Sequence, residues 1–206
     1  MVPYINLKEA KADFEVHIVD LGSGEHLKPK YLKLNPKHKV PTLLLDGEPL
    51  TENTAINTWI AKTFPEAKLF PSSFRQEMEA ISLMSWFASS LHPALTPNMV
   101  PKRFCDIPGS EESVKACAQK SLGEAFTLAD DMLKGRHWFF EHYTVVDAYF
   151  FWTFLRASRF ELKYLDVGQF TACQEHMKRM RDRESVRQLL AFEKKALEDL
   201  GRPIPK

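Results

Sequence analysis

The sequence contains few cysteines and no long apolar run. Its three cysteines, Cys105, Cys117 and Cys173, are widely spaced, so they form neither a CxxC redox motif nor a metal-binding knuckle. An odd number of isolated cysteines indicates a reducing compartment rather than a disulfide framework. The longest apolar stretch, residues 148–155, is too short to cross a bilayer, and no signal peptide is visible. We therefore predict a cytoplasmic protein that has no membrane partner.

The sequence also lacks an excess of charge of either sign, internal repeats and low-complexity tracts. Its 28 Lys and Arg residues against 27 Asp and Glu residues give a net charge of +1, which offers no electrostatic reason to expect a nucleic-acid partner. His137 and His142 are not spaced as metal ligands, and no metal is predicted. What the chain has is the composition of a soluble globular protein, 44% hydrophobic and 27% charged over 206 residues. This length suits one large domain or two small ones.

A strand, a tight turn and a second strand follow one another in the N-terminal half. Pro41 stands directly before the apolar run 42–45, and because proline cannot donate to a sheet ladder it belongs at the first residue or the edge of a strand. We interpret residues 42–45 as a buried strand. The dipeptide Asp46-Gly47 predicts a two-residue hairpin turn, and residues 49–51 predict the short return strand.

The helix that follows this hairpin is predicted to begin at Glu52, with Thr51 as its N-terminal cap, and to end at about residue 62. A helix N-terminus binds anions because its first backbone N–H groups are free and its dipole is positive there. The carboxylate of Glu52 at this position indicates that the ligand also has a cationic end. The sequence therefore predicts a site for a small molecule that carries both charges.

Val40-Pro41 and Thr51-Glu52-Asn53 resemble the glutathione-binding half of the glutathione S-transferase family. In that family the proline is cis and exposes the backbone of the preceding residue, which implies that Val40 pairs antiparallel with the cysteinyl part of glutathione. The resemblance also implies that Glu52 binds the γ-glutamyl ammonium. Asn53 replaces the usual serine or glycine, and it keeps the polar side chain and the N–H that the family uses for the γ-glutamyl carboxylate.

Lys39 precedes Val40 and has two interpretations. The family binds the glycine carboxylate of glutathione with a long polar side chain near this position, which makes Lys39 a candidate. Alternatively, Lys39 and its neighbours Lys37 and His38 are simply solvated.

The order of elements up to residue 66 resembles a thioredoxin-type domain that lacks its first strand. We predict a helix over 2–13, a half-buried strand over 14–19 and a short helix over 29–33 before the hairpin. In the family, a first strand and a turn carrying the catalytic Ser, Cys or Tyr come before this first helix. Our hypothesis is that the sequence is truncated at its N-terminus, with that residue in the missing piece. Residues 1–66 are then the thioredoxin-like, glutathione-binding domain.

Residues 73–206 are predicted to form an all-helical domain after a linker rich in helix-breaking residues. Thr144 and Asp147 form a capping box at the start of a helix that is apolar nearly all round, which resembles the capping box at the heart of the family's helical domain. Helices are also predicted over 170–181 and 184–200. Two earlier helices each carry an apolar stripe, made of Met78, Ile81, Met84, Phe87 and Leu91 in the first and of Val114, Cys117, Leu122, Ala125, Leu128 and Met132 in the second.

His92 ends a segment that resembles the bacterial beta class of the family. In that class the corresponding histidine lines the glutathione thiol site, which implies a catalytic role for His92 as a donor to the thiolate. The next residue is usually lysine but here is Pro93, so a second basic group is lost or displaced. The alternative is a histidine that merely stabilises a helix C-terminus.

An apolar co-substrate pocket is predicted from Met99, Arg103 and Phe104, with Trp152 beside them. Aromatic and methionine side chains at helical spacing also occur in cores, and for Trp152 the core is the stronger alternative.

The resemblance implies a homodimeric glutathione S-transferase of detoxification type, in which the thiolate of the substrate glutathione attacks a small, hydrophobic electrophile. The alternative is a glutathione-transferase-like binding or protein-interaction module without catalysis. A glutaredoxin-like oxidoreductase is set aside because no cysteine lies in the N-terminal domain.

Overall fold

The computed structural model describes residues 1–204. The chain divides into two compact units. The first contains Met1–Leu69 together with the segment from Glu184 onward, and the second contains Phe70–Arg183.

The first unit contains four helices and one hairpin among its described residues. In chain order its elements are α1 (Val2–Glu9), α2 (Pro29–Leu32), β1 (Thr42–Leu45), β2 (Glu48–Thr51), α3 (Asn53–Thr63) and, from the end of the chain, α9 (Glu184–Asp199). The second unit is helical throughout its regular structure. Its elements are α4 (Phe74–Trp86), a π turn (Phe87–Leu91), α5 (Thr96–Met99), α6 (Glu111–Leu133), α7 (Val145–Ser158) and α8 (Thr171–Arg181).

The predicted hairpin is confirmed. Strands β1 and β2 pair antiparallel, with Thr42 opposite Thr51 and Leu45 opposite Glu48. Asp46 and Gly47 have φ values of 50° and 90°, the left-handed conformations that a two-residue turn matching the twist of its strands requires. The expectation that the first strand is buried is wrong, since 43% of Leu44 is exposed.

The strand predicted over residues 14–19 is absent. The sheet in the described part of the chain consists of β1 and β2 alone, and segment 14–19 has no regular structure. Alternating apolar residues supply one face of a strand, but a strand also needs a neighbour for its backbone groups. Val16 and Ile18 are accordingly 42% and 45% exposed. The predicted first helix is also too long, because Lys11 adopts a φ of 53° just after α1 ends.

Helix α1 lies between α3 and α9. The side chain of Asn6 donates to that of Asn57 in α3 over 2.7 Å, and both residues are fully buried. On the other side, the ring of Tyr4 stacks on that of Phe192 in α9 at 5.7 Å, and the hydroxyl of Ser185 donates to the carboxylate of Glu9. By these contacts the last helix belongs to the first compact unit. The domain limits 1–66 and 73–206 remain a prediction.

The core of the second unit consists largely of aromatic rings. Phe126 in α6 meets Phe154 in α7 edge to face at 5.0 Å, and Phe139 meets Phe150 at 5.1 Å. Such contacts stabilise a core beyond the burial of apolar area.

The predicted helix stripes are partly wrong in phase. The buried face of α6 consists of Ala118, Gln119, Leu122, Phe126, Ala129 and Leu133. Cys117 and Leu128 fall one position outside the apolar members of this face and are exposed. In α4 and the π turn that follows it, Met84, Phe87 and Leu91 are buried as predicted, but Met78 is 40% exposed. A periodic pattern is compatible with two neighbouring phases, and packing against α7 selects one.

The predicted capping box is confirmed at the start of α7. The carboxylate of Asp147 accepts from the Thr144 backbone N–H at 2.8 Å and from its hydroxyl at 3.1 Å. It also accepts from the Phe139 N–H at 3.2 Å and lies 3.0 Å from Nε2 of His176. Asp147 and His176 are fully buried.

No helix within residues 1–204 has both the length and the apolar character needed to cross a membrane.

Candidate functional site

The turn before β1 contains the cis peptide bond between Val40 and Pro41. Two buried side chains hold the carbonyl oxygen of Lys39 in this turn. The hydroxyl of Tyr31 donates to it at 2.6 Å, and the amide of Asn35 donates at 2.8 Å. Val40, the residue expected to pair with a peptide ligand, is 40% exposed. The cis proline that the family resemblance implied is therefore present, and the turn is fixed from within the first unit.

Glu52 occupies the N-cap position of α3 with φ 73° and ψ 127°. Such a backbone conformation is unusual for a residue other than glycine and occurs preferentially at ligand sites, where the surroundings hold it. Here Asn57 contributes to that support, because its side-chain amide donates to the carbonyl of Asn53 at 2.7 Å. The prediction that Thr51 caps the helix is wrong, since α3 has no side-chain cap.

Two polar side-chain atoms in the first turn of α3 are buried without a hydrogen-bond partner among the described residues. They are Oδ1 of Asn53 and Oγ1 of Thr54. Buried polar atoms in native proteins are nearly always hydrogen-bonded, and each exception calls for an explanation. The first backbone N–H groups of a helix also lack partners within the helix. This end of α3 therefore offers hydrogen-bonding capacity that residues 1–204 do not use.

The carboxylate of Glu52 is held by Lys37. The ammonium of Lys37 donates to Oε1 of Glu52 and, over 2.8 Å, to the hydroxyl of Thr51. Thr51 itself is the last residue of β2 and stands one position before the N-cap of α3. Lys39, the lysine favoured from the sequence, is exposed. Of the two lysines, the structure brings Lys37 to the start of α3.

His92 follows the π turn at the end of α4, in the second unit. Its N–H donates to the carbonyl of Phe87 at 2.8 Å, five residues back, which is the π-helical pattern. Its ring atom Nδ1 lies 3.3 Å from the hydroxyl of Tyr149, and its ring packs edge to face on Trp152 with 4.5 Å between centroids. If Tyr149 donates to Nδ1, the neutral imidazole carries its proton on Nε2, which is then a donor.

The residues predicted to form the co-substrate pocket differ in the contacts that the structure shows for them. Met99 is 49% exposed, and its sulfur lies 3.5 Å from a guanidinium nitrogen of Arg156 in α7. Arg156 is one turn from Trp152, so His92 and Met99 contact the same side of α7. We call His92, Met99, Trp152 and Arg156 the α7 strip.

Phe104 has other neighbours in the second unit. It is 53% exposed and lines a cleft of about 420 Å³ together with Pro93, Pro97, Val114 and Cys117. Arg103 is exposed and is not among the residues that line that cleft.

Several residues that shape these sites were not found from the sequence. Tyr31, Asn35 and Asn57 act through hydrogen bonds to backbone atoms, and a polar residue gives no sequence signal that it is buried. For Arg156 the sequence does contain a signal, because a charged residue interrupts an otherwise apolar helix. For Lys37, the sequence indicates only a solvated neighbour of Lys39.

The cysteines differ in their chemical environment. The hydroxyl of Ser110 and the backbone N–H of Ile107 hold the pKa of the Cys105 thiol below its usual value. Burial, together with the nearby carboxylate of Asp130, raises the pKa of Cys173. Within residues 1–204, no three histidine, cysteine or acidic side chains are grouped so that they could hold a metal ion.

The chain is similar to glutathione S-transferases of known sequence and structure. Residues 1–62 match the family model of the glutathione S-transferase N-terminal domain. The chain is 30% identical over 201 residues to glutathione S-transferase GstA of Escherichia coli O157:H7, which covers 94% of this chain and 93% of that protein. A bacterial beta-class glutathione S-transferase of Sphingomonas chungbukensis is 29% identical with a TM-score of 0.80, covering 93% of this chain and 92% of that one. A sphingomonad glutathione S-transferase complexed with glutathione has the same identity, TM-score and coverage.

Proposed function

We propose a function from one premise: the chain belongs to the glutathione S-transferase superfamily, and within it resembles the bacterial beta class. The family resemblance inferred from the sequence is thereby confirmed. So is the fold class, a thioredoxin-like N-terminal domain with a small sheet followed by a mostly helical C-terminal domain. The function that follows is that of a glutathione S-transferase, with glutathione as substrate and its thiolate as the nucleophile that attacks a hydrophobic electrophile.

Glutathione binds to the turn before β1 and to the start of α3 in this proposal. The exposed backbone of Val40, beside Pro41, pairs with the cysteinyl part. Glu52 binds the γ-glutamyl ammonium, and Asn53 at the first turn of α3 binds the γ-glutamyl carboxylate. Lys39 remains the candidate for the glycine carboxylate. A solved relative, the sphingomonad enzyme at 29% identity, is described as a complex with glutathione, which supports the choice of ligand.

One observation carries this proposal: the start of α3 combines an unusual backbone with unused polar atoms. Glu52 has φ 73°, and Asn53 Oδ1 and Thr54 Oγ1 are buried without partners among the described residues. A ligand with a carboxylate and an ammonium would satisfy these groups, because the helix end supplies donors and Glu52 supplies an acceptor.

The chemical task is to present the glutathione sulfur as a thiolate, since the thiolate is the nucleophile. The family resemblance assigns this to His92. Its contact with Tyr149 supports the assignment, because it fixes the ring and can place the proton on Nε2. A hydrogen bond from that proton would stabilise the sulfur anion and lower the pKa of the thiol.

The electrophile is held by side chains of the second unit in this proposal. The α7 strip supports it, because it combines the exposed thioether of Met99 with an aromatic face and the guanidinium of Arg156. Phe104 and its cleft offer a second apolar surface, and Arg103 stays a candidate from the sequence alone. The choice of electrophile is not proposed, because one scaffold of this kind serves several reactions.

Two further properties are proposed with the function. We expect a homodimer, which is supported by the exposed apolar pair Phe74 and Met78 on α4. We also keep the cytoplasm as the predicted location, since the three isolated cysteines suit a reducing compartment.

The deciding experiment is calorimetric titration of the protein with glutathione. We expect saturable binding by the wild type and a loss of at least about tenfold in affinity for Glu52→Ala, because a charge-assisted hydrogen bond is removed. Glu48→Ala removes another exposed carboxylate of the same hairpin and is the matched control.

Absence of glutathione binding by the wild type would overturn the proposal. A conjugation assay with an activated aryl halide then separates the enzyme from the alternative. Binding with turnover supports the transferase, whereas binding without turnover of the aryl halide supports the non-catalytic module.

A further inference from the structure

Lys37 is anchored at both its ends. Its backbone N–H donates to the side-chain oxygen of Asn35 at 3.1 Å, and Asn35, which is only 1% exposed, also holds the Lys39 carbonyl. At the other end, its ammonium bonds the hydroxyl of Thr51 and the carboxylate of Glu52. The lysine therefore belongs to the same hydrogen-bonded turn as Val40, and its charge is held at the start of α3.

This arrangement places a positive and a negative side chain next to each other at the proposed ligand site. The side chains of Lys37 and Glu52 are 50% and 61% exposed, so a ligand can reach both. An exposed ion pair contributes little to the stability of a fold. Because the pair adds little to the fold, its exposed charges are available to a ligand.

We propose that Lys37 and Glu52 together recognise the α-amino acid end of glutathione, with Lys37 binding the α-carboxylate of the γ-glutamyl group while Glu52 binds its ammonium. The inference rests on the proposed function. Glu52 alone would accept any cation and the end of α3 any anion. A carboxylate and an ammonium bonded to one another match a ligand group that bears both opposite charges on one carbon atom.

Two other roles of Lys37 predict different behaviour. If the lysine only neutralised Glu52, it would compete with the ligand ammonium, and its removal would strengthen glutathione binding. If it only held the turn in shape through Thr51, its removal would weaken every ligand alike. The proposed role predicts weaker binding of those ligands alone that possess the α-carboxylate.

The test compares Lys37→Gln, Lys37→Arg and Lys33→Gln in calorimetric titrations with three tripeptides. Lys33 is an exposed lysine of the same segment, and its replacement controls for the change in net charge. The ligands are glutathione, its analogue without the α-carboxylate (4-aminobutanoyl-cysteinyl-glycine) and its analogue without the amino group (glutaryl-cysteinyl-glycine).

We expect Lys37→Gln to weaken glutathione and the glutaryl peptide about tenfold, the usual size for a lost charge-assisted hydrogen bond. The 4-aminobutanoyl peptide should bind no more weakly than it does to the wild type. Lys37→Arg should retain most of the glutathione affinity, and Lys33→Gln should change nothing.

Unchanged or tighter glutathione binding by Lys37→Gln overturns the inference, and so does an equal loss for all three peptides. Failure of the proposed function looks different, because then the wild type and Lys33→Gln do not bind glutathione either. Circular dichroism on each variant shows that the fold is intact.

Discussion

Two lysines of the turn before β1 contribute to the candidate site through different atoms. Lys37 and Lys39 are two positions apart, yet Lys37 bonds Glu52 while Lys39 contributes its carbonyl to Tyr31 and Asn35. The side chain of one and the backbone of the other therefore shape the same turn. The identity of a residue therefore does not show whether its side chain or its backbone takes part in the site.

Cys105 gives a prediction about pH dependence. Donors from Ser110 and Ile107 stabilise its thiolate, so its pKa lies below the usual value. A lowered pKa means that the thiolate persists to lower pH, and the rate of alkylation by iodoacetamide should fall only at a correspondingly lower pH. Ser110→Ala should shift the midpoint of that pH profile upward, as read by peptide mass spectrometry.

Ser113→Ala, at an exposed serine near the start of α6, is the control and should leave the pH profile of Cys105 alkylation unchanged. Cys173 is buried and its pKa is raised, so it should stay unmodified in the folded protein across the same range. A profile for Cys105 that does not respond to Ser110→Ala would contradict the role given to that hydroxyl.

At the scale of the element, the clearest case of a helix end organised by a buried polar group is α7. The start of α7 depends on Asp147, whose carboxylate serves the Thr144 N–H and hydroxyl, the Phe139 N–H and the ring of His176 in α8. The carboxylate thus connects the loop before α7, α7 itself and α8. The aromatic core of the second unit packs around these connections.

We expect Asp147→Ala to lower the free energy of unfolding by about 3 kcal/mol or more, because it leaves several buried donors without an acceptor. Urea unfolding followed by circular dichroism measures this. Thr144→Ala should cost about 1 kcal/mol, the usual value for a lost helix cap. Asp131→Ala, at an exposed site on α6, should change stability by less than about 0.5 kcal/mol. A loss near zero for Asp147→Ala would refute this account of the capping box.

At the scale of the whole molecule, the surface of α4 is the basis of the proposed homodimer. Phe74 is 75% exposed and Met78 is 40% exposed, and they lie one turn apart on the same face. Two adjacent exposed apolar side chains at the start of a helix suit an interface with a second copy of the chain. The sequence had assigned Met78 to the buried stripe, and its exposure turns it into a candidate for such an interface.

We predict that light scattering on the purified protein gives twice the mass of one chain, and that Phe74→Glu combined with Met78→Glu gives a monomer. Two carboxylates in an apolar interface would have to be buried without partners. Lys178→Glu on α8 changes the net charge by the same amount at an exposed site and should leave the dimer intact. A monomeric wild type would rule out the proposed assembly.

The sequence by itself determined those features that depend on local chemistry. The hairpin at Asp46-Gly47, the capping box at Thr144 and the limits of α8 were predicted correctly, since turn residues and caps act within a few positions. The family resemblance added the cis proline, which the structure contains, and the proposed role of Glu52.

Only the tertiary structure decided features that depend on contacts between distant positions. The phase of the α6 stripe, the missing strand at 14–19 and the placement of α9 against α1 each depend on which neighbour is present. The partner of Glu52 could not be read either, because a flexible lysine reaches several atoms and the turn selects among them. Turns and helix caps are determined by adjacent residues, whereas burial and pairing depend on contacts that form only when the chain has folded.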